Sequence, residues 1–238
     1  FYMGGGTPTV LSASQMDELL SFLHEQYGSF GLEATVEAGR PDTIDREKLF
    51  VLKQHGINRI SINPQTMNDE TLRRVGRSHT AEEIVRVYEL ARTIGFDSIN
   101  MDLIAGLPDE TKEDMQKSCG AILRLAPDNL TVHSLAIKRS STLKKELDDH
   151  ALTSAGQAEE MTGIGAFCAA KMGMNPYYMY RQKYMSGNLE NVGYALPGKE
   201  CVYNIDMMEE TASILSHGAG TMTKRVFYGQ NRIERMPS

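Results

Sequence analysis

Three consecutive glycines near the start of the chain could bring the backbone close to a bound molecule. Gly4–Gly6 follow the apolar, strand-like start Phe1–Met3, and Thr7 and Pro8 come next. Because glycine lacks a Cβ, the peptide groups of such a turn can reach a ligand at hydrogen-bond distance, and proline stiffens the exit. The same run is also common in ordinary loops. Its meaning therefore depends on which residues the rest of the chain places beside it.

Four other polar residues could act on the same ligand: Glu37, Gln65, Arg77 and Asp102. The sharpest signal is Asp102, because it lies in the otherwise apolar stretch Ile99–Ile104 and a carboxylate is rarely buried without a partner. Each has an ordinary alternative. Glu37 could be a surface charge, Gln65 a turn residue, Asp102 a cap for a neighbouring amide, and Arg77 a solvated side chain.

Together these groups indicate a particular ligand chemistry. Glycine backbone, two carboxylates, an amide and an arginine suit a zwitterion that also carries ribose hydroxyls. A guanidinium that binds a carboxylate would contribute roughly 1.5–3 kcal/mol per hydrogen bond when desolvated. S-adenosylmethionine fits this description.

The elements that would position these residues alternate between strand and helix. Apolar periodicity and helix-capping residues, such as the capping boxes that start at Ser12 and Thr80, predict them. The predicted strands are Phe1–Met3, Leu32–Glu37, Asn58–Asn63, Ser98–Ile104 and Leu130–Ala136, and the predicted helices are Ser12–Tyr27, Asp45–His55, Thr80–Ile94 and Thr111–Leu125. This alternation predicts an α/β fold of parallel βα units, as a barrel or an open sheet.

The candidate residues lie where the predicted strands end. The glycines follow the first strand, Glu37 closes the second, Gln65 follows the third and Asp102 comes late in the fourth. In parallel α/β folds the carboxyl ends of the strands converge on one face, where ligands bind. We therefore expect these residues to line one cleft.

The alternation stops after about residue 137. The sequence then predicts a helical region from Ser140 to Met172, an aromatic segment at Tyr177–Tyr184 and a glycine-rich strand around Ser213–Thr223. We expect two parts: residues 1–137 as a partial barrel, and residues 138–238 as a C-terminal α+β region that completes or covers it.

Composition excludes several classes of protein. The net charge of −6 argues against a general nucleic-acid surface. No apolar run reaches the roughly 20 residues of a membrane span, and no signal peptide is visible, so a cytoplasmic location is expected. The scattered residues Cys119, Cys168 and Cys201 form no metal-binding motif and are expected to be reduced and buried.

Six motifs in register resemble one family. They are the Gly-Gly-Gly-Thr-Pro-Thr run at 4–9, Glu37, Arg59–Gln65, Val75–Arg77, Asn100–Pro108 and Gly218–Gly220. This pattern resembles the radical S-adenosylmethionine enzymes of the oxygen-independent coproporphyrinogen III oxidase family. Two features are most similar to the branch called coproporphyrinogen dehydrogenase: the Asn63-Pro64 pair before Gln65, and the segment Tyr177–Tyr184.

The resemblance implies an incomplete TIM-like barrel. In the family a 4Fe–4S cluster, fed by an electron donor, cleaves S-adenosylmethionine to a 5′-deoxyadenosyl radical, and propionates of a tetrapyrrole are decarboxylated to vinyl groups in haem biosynthesis. By position the S-adenosylmethionine contacts would be Gly5, Gly6, Thr7, Glu37, Gln65, Arg77, Asp102, Ser134 and Met222, the last two through the backbone. Candidate cations for the substrate's carboxylates are Arg181 and Lys183, with Lys138, Arg139 and Lys224 as further possibilities.

The family's cluster ligands form a Cys-x3-Cys-x2-Cys motif that lies upstream of the glycine motif, and this chain starts at the glycine motif. We therefore expect a fragment that holds no cluster and is itself inactive. Two other functions stay open. One is a haem-binding chaperone of the same fold. The other is a barrel enzyme for phosphorylated metabolites, although no lysine lies beside Gly4–Gly6 to support it.

Overall fold

The computed structural model describes residues 1–135, 154–181 and 189–237. These residues form two compact units, Phe1–Glu200 and Cys201–Ser238. The domain boundary predicted near residue 137 falls in a segment outside the described residues and stays a prediction. No helix in the described ranges combines the length and apolar character needed to cross a bilayer.

The first unit contains seven strands and six α-helices among its described residues. The strands are β1 (Tyr2–Met3), β2 (Thr35–Gly39), β3 (Arg59–Gln65), β4 (Ser98–Ala105), β5 (Asn129–Ser134), β6 (Asn175–Tyr180) and β7 (Asn191–Ala195). The helices are α1 (Ala13–Tyr27), α2 (Arg46–Gln54), α3 (Asp69–Arg74), α4 (Ala81–Ile94), α5 (Lys112–Leu125) and α6 (Ala155–Lys171). Short 3₁₀ turns occupy Pro8–Val10 and Pro41–Thr43.

All seven strands form one sheet in the order β1-β2-β3-β4-β5-β7-β6. Neighbours from β1 to β5 are parallel, whereas β7 pairs antiparallel with both β5 and β6. The sheet curls into a half-barrel with helices outside it. The α/β class and the incomplete barrel predicted from the sequence are confirmed.

Two faces of the sheet have opposite chemistry because side chains alternate along a strand. One face packs against the helices and carries fully buried apolar side chains, such as Ile60, Ile62, Met101 and Leu103.

Polar caps fix where the helices begin. The capping boxes predicted at Ser12 and Thr80 are both formed.

The second unit contains a helix, α7 (Val202–Glu209), and an antiparallel hairpin of β8 (Met222–Phe227) and β9 (Arg232–Pro237). The strand predicted at Ser213–Thr223 is therefore wrong in position. Within that range Ile214 forms a single bridge to Lys224, and the ladder itself starts at Met222. The glycines at 218 and 220 adopt positive φ angles of 119° and 73°, which suit a turn and not a strand.

Other differences concern boundaries and short elements. The second strand starts at Thr35 and not at Leu32, whose side chain is fully exposed. Sequence patterns did not predict α3, β7, α7 or β9. Each of these is at most eight residues long, too short for a clear periodic signal. Of the helical region predicted from Ser140, the part up to residue 153 lies outside the described residues.

Helix α6 approaches β5 closely at Gly165. A Cβ on Gly165 would lie 2.7 Å from Cγ2 of Val132, whereas a Cβ on Gly163 of the same helix would meet nothing within 4 Å. We expect Gly165→Ala to lower the free energy of unfolding by about 1–2 kcal/mol, because over-packing against a stiff valine outweighs the gain in helix propensity. The matched Gly163→Ala should be neutral or stabilising. Denaturant unfolding of both variants checks this, and equal effects would contradict the close approach.

Candidate functional site

The inner face of the half-barrel is polar, and Asn100 lies at its centre. Its Nδ2 donates to Ser61 Oγ on β3 and to Asp102 Oδ1, both at 2.7 Å. Its Oδ1 accepts from Thr131 Oγ1 on β5 at 3.1 Å. Ser61 in turn donates to Asn63 Oδ1 at 2.7 Å. Polar side chains on three adjacent strands are thus joined in one network.

Glu37 connects this face to the glycine loop. It is the neighbour of Ser61 in the sheet register, and its carboxylate accepts from the Tyr2 hydroxyl and from the Gly5 N–H, the latter at 3.3 Å. A Cβ on Gly4 would lie 2.9 Å from the carboxyl carbon of Glu37, so a side chain at this position would displace the carboxylate. Gly5 and Gly6 have φ angles of 78° and 61°, a backbone conformation that glycine adopts without strain. The loop is therefore built to bring peptide groups beside a carboxylate.

Gln65 ends β3 in an unusual conformation. Its φ angle is 71°, and the register between β3 and β4 shifts between Ile62 and Gln65. Its side chain is largely buried, with 9% of the residue exposed. Positive φ at a residue other than glycine often marks a ligand site, because the strain persists only where the surroundings enforce it.

Arg77 belongs to a cluster of charges at the ends of β2 and β3. Arg40 binds Asp42 through two hydrogen bonds of 3.2 and 3.0 Å, and the buried His79 places Nδ1 3.4 Å from the same carboxylate. Burial lowers the pKa of Arg77, and the nearby charge of Arg40 lowers it further, against the opposite effect of Asp42. In the described part of the chain no carboxylate forms an ion pair with Arg77.

Burial also lowers the pKa of His79, with the Arg77 charge acting in the same direction and Asp42 opposing both. No hydrogen bond or ion pair among the described residues joins this cluster to Asp102. The cluster therefore offers a half-buried cation, Arg77, that an anionic ligand group would stabilise.

Asp102 is held from two sides. Asn100 binds its Oδ1, and His133 Nε2 lies 3.5 Å from its Oδ2. His133 is the third inward residue of β5, after Asn129 and Thr131, and contacts the hydroxyl of Tyr180 on β6, with Oη 3.2 Å from Nδ1. The carboxylate that the sequence marks as buried thus has partners on its own strand and on the next one.

Two tyrosines of β6 reach over β7 to this network. Tyr178 and Tyr180 pair in the sheet with Gly193 and Asn191, and their rings lie parallel with centroids 6.2 Å apart. A Cβ on Gly193 would lie 1.8 Å from Cε1 of Tyr178, so the ring lies directly on the glycine. Burial raises the pKa of Tyr178, and the charges of Tyr177 and Asp102 act in the same direction.

The amino-terminal end of the inner face is closed by Arg59. Its guanidinium donates to the Lys199 carbonyl at 2.9 Å and to Asn129 Oδ1 at 2.6 Å, and its Nε lies 3.8 Å from Glu33. Asn129 donates to the same carbonyl at 2.7 Å. A ligand on this face would therefore enter from the carboxyl ends of the strands.

The remaining predicted site residues have varied positions. Thr7 packs its methyl group against Gly39. Ser134 is on the helix-facing side of β5, donates its N–H to Asn191 Oδ1 at 2.8 Å and has a buried hydroxyl with no partner in the described ranges. Met222 lies in the second unit and is 52% exposed.

The structure does not bring the predicted substrate cations together among the residues it describes. Arg181 forms an ion pair of 2.9 Å with Glu190. Lys183, Lys138 and Arg139 lie outside the described residues. Lys224 is buried in the second unit and donates to the Asp206 carbonyl at 2.7 Å, so it is not a surface cation.

Sequence reasoning gave no ligand-binding role to most of the inner-face network, although several of its members lie in the motifs that carry the resemblance. They are Ser61, Asn63, Asn100, Thr131, His133, Tyr178 and Tyr180. A signal was present. Strands of a parallel sheet covered on both faces are normally apolar throughout, whereas Arg59–Asn63 and Asn100–Asp102 alternate polar and apolar residues. Alternation inside a predicted parallel barrel indicates a polar interior.

The described residues do not fit an iron–sulfur cluster. No group of three His, Cys, Asp or Glu side chains within the described ranges is arranged to hold a metal ion. Cys119 and Cys168 are buried where α5 packs on α6, as the sequence predicts, and Cys168 Sγ lies 3.5 Å from the Cys119 carbonyl. Cys201 is buried at the start of α7.

Comparison with known families decides the classification. The sequence model of the radical SAM superfamily matches residues 1–122, half of the chain. The chain belongs to the radical SAM superfamily. The resemblance to its coproporphyrinogen oxidase family is confirmed by a relative from Bacillus subtilis (strain 168), the oxygen-independent coproporphyrinogen-III oxidase-like protein HemZ, which is 44% identical over 94% of this chain and 45% of the relative.

Other relatives carry other names. The haem chaperone HemW of Escherichia coli (strain K12) is 30% identical over 86% of this chain and 50% of the relative. The solved structure of coproporphyrinogen III oxidase (HemN) from Escherichia coli has a TM-score of 0.70 at 26% identity, over 93% of this chain and 49% of that chain. The chain spans about half the length of the curated relatives it matches.

A buried carboxyl group ties together the loops that follow β3 and β4. Glu110 is 6% exposed and accepts from Thr66 Oγ1 at 2.5 Å. Burial raises its pKa, although hydrogen bonds from Thr66 and Thr71 act in the opposite direction. The folded protein therefore favours the protonated acid.

This raised pKa makes stability depend on pH. The protonated Glu110 stabilises the fold fully below the pKa of the unfolded chain, and this contribution is lost as the pH rises through the higher pKa of the folded state. We expect Glu110→Gln to become progressively more stable relative to the wild type as the pH is raised above 4.5, the ordinary pKa of a glutamate. The control is Glu89→Gln at an exposed helix position. Urea unfolding across this range measures the effect, and parallel curves for Glu110→Gln and the wild type would refute it.

Proposed function

We propose that this chain forms the S-adenosylmethionine-binding part of an oxygen-independent coproporphyrinogen III oxidase of the coproporphyrinogen dehydrogenase type. Its substrate would be a small-molecule tetrapyrrole whose propionates become vinyl groups in haem biosynthesis, in the cytoplasm. The observation that carries the proposal is the contact between the Gly5 N–H and Glu37 at the edge of a polar inner face that also holds Asp102.

The residues have distinct roles in this proposal. Gly5, Gly6 and Thr7 would offer backbone groups to the methionine part of the ligand, and Arg77 would bind its carboxylate. The carboxylates of Glu37 and Asp102 would accept hydrogen bonds from the ammonium and hydroxyl groups. Gln65 would contribute an amide, and Ser134 a backbone contact. The contact of Met222 stays an expectation from the family resemblance.

The room around these groups supports the assignment. A Cβ on Gly5 or on Gly6 would meet nothing within 4 Å, so the loop backbone is open to a ligand. Arg77 supplies a partly desolvated positive charge, and pairing with a carboxylate would offset the free-energy cost of that desolvation.

The redox chemistry depends on a group that the described residues do not hold. In this family a 4Fe–4S cluster, reduced by an external electron donor, supplies the electron that cleaves S-adenosylmethionine. The part proposed for this chain is to bind and orient that ligand. Arg181 and Lys183 remain proposals for the substrate's carboxylates.

A haem chaperone is the second candidate. Relatives from Bacillus subtilis and Escherichia coli carry that name at 37% and 30% identity. Both candidates would use the same S-adenosylmethionine face. The difference between them is whether a tetrapyrrole is converted or only carried.

Binding of S-adenosylmethionine should depend on Arg77. We expect Arg77→Ala in the full-length protein to weaken binding about tenfold or more, because a charge-assisted hydrogen bond contributes roughly 1.5–3 kcal/mol. Arg73→Ala is the matched control, since Arg73 is an exposed arginine of the neighbouring helix α3. Calorimetry measures both, and unchanged affinity in Arg77→Ala would exclude Arg77 from the binding site.

One experiment separates the two candidate functions. The full-length protein, reconstituted anaerobically with iron and sulfide, is incubated with S-adenosylmethionine, a one-electron reductant and an electron acceptor, in one arm with coproporphyrinogen III and in a second arm with haem. We expect 5′-deoxyadenosine and vinyl products to form together. Stoichiometric haem uptake without either product would instead favour the chaperone.

A further inference from the structure

We propose that His133 and Tyr180 are positioning residues that fix the carboxylate of Asp102 for the ligand. This inference rests on the proposed S-adenosylmethionine function. The structure places the three side chains in a row across β4, β5 and β6, with Tyr180 Oη 3.2 Å from His133 Nδ1 and His133 Nε2 3.5 Å from Asp102 Oδ2. His133 lies outside the motifs that carry the family resemblance, and Tyr180 lies in the segment Tyr177–Tyr184, for which the resemblance implies no contact with S-adenosylmethionine.

The row has one consistent direction of hydrogen bonding. If the phenol of Tyr180 donates to Nδ1, the neutral imidazole carries its proton on Nε2, which then faces the carboxylate. The reverse arrangement would direct the lone pair of Nε2 at a carboxylate oxygen and is disfavoured. Tyr180 therefore selects the tautomer of His133 that can donate to Asp102.

The edge strand is shaped to bring Tyr180 there. Tyr180 pairs in the sheet with Asn191 of β7, which lies between β6 and β5, so the phenol reaches across that strand. The rings of Tyr180 and His133 meet edge to face, with centroids 6.3 Å apart at 71°. The parallel ring of Tyr178 supports Tyr180 on one side. This packing restricts the rotamers of both members of the pair.

The two oxygens of Asp102 are then held separately. Asn100 fixes Oδ1 with a hydrogen bond of 2.7 Å, and His133 governs Oδ2. The 3.5 Å separation is longer than a formed hydrogen bond, and such pairs in ligand sites commonly tighten when the ligand binds. A carboxylate has about four lone-pair positions, so positions on both oxygens stay available for hydroxyl donors of a ligand.

A purely structural role makes a different prediction. If His133 and Tyr180 served only to join β5 to β6, their removal would lower stability without changing the affinity of a folded variant for the ligand. His133 is also partly accessible, with 24% of its side chain exposed, so replacement by another planar side chain is compatible with folding.

The test compares His133→Phe with His133→Gln in the full-length protein, reconstituted with iron and sulfide. Phenylalanine keeps the ring and loses the donor, whereas glutamine carries an amide N–H near the position of Nε2. We expect His133→Phe to weaken binding of S-adenosylmethionine about tenfold, the size of one hydrogen bond to a charged group. His133→Gln should stay within about threefold of the wild type. Thermal unfolding confirms that both variants are folded.

A second readout is the imidazole ¹⁵N spectrum of the histidine-labelled protein. We expect the Nε2–H tautomer of His133 in the wild type and a mixture of tautomers in Tyr180→Phe. If the wild type binds S-adenosylmethionine and a folded His133→Phe binds it equally well, the positioning role is overturned and the proposed function stands. If the wild type does not bind S-adenosylmethionine, the proposed function is overturned, and this inference with it.

Discussion

A single carboxamide, that of Asn100, organises the inner face of the half-barrel. It joins β3, β4 and β5 through hydrogen bonds to Ser61, Asp102 and Thr131. The interiors of (β/α)₈ barrels are normally filled by bulky branched apolar side chains. Here the same layer is hydrogen-bonded, so the curvature of the sheet encloses a polar surface instead of a second apolar core. Every polar group that could contact a ligand on this face depends on this replacement of apolar side chains by hydrogen-bonded polar ones.

The network has a closed end and an open end, and this asymmetry gives the face a direction. At the amino-terminal end Arg59 and Asn129 share the Lys199 carbonyl. The buried guanidinium is tolerated there because the carbonyl oxygen and the amide oxygen accept hydrogen bonds from it. Glu33 also lies close enough to balance its charge. The carboxyl-terminal end of the face is formed by glycine turns and residues with positive φ angles, and not by side chains that close it.

The sequence predicts the part of this arrangement that local chemistry determines. Capping boxes, apolar periodicity and glycine stops are local, and so β1 to β5 and the helices α1, α2, α4 and α5 follow from them. Glu37 and Asp102 also stand out locally, as carboxylates at strand ends. The partners of Asp102 do not, because His133 and Tyr180 come from strands that meet only after β7 inserts antiparallel between β5 and β6. The contact between Arg59 and Lys199 could not be predicted for the same reason. The two residues are hydrogen-bonded in the fold but lie 140 residues apart in the sequence.

The ring of Tyr178 on the bare backbone of Gly193 has a consequence for how such chains diverge. The two positions occupy one volume, so any side chain at 193 excludes an aromatic ring at 178. In related sequences that keep β6 and β7, a residue larger than glycine at the position of Gly193 should accompany a small residue at the position of Tyr178. The pair is then a covariation signal, which reports the antiparallel register of the edge strands from sequences alone.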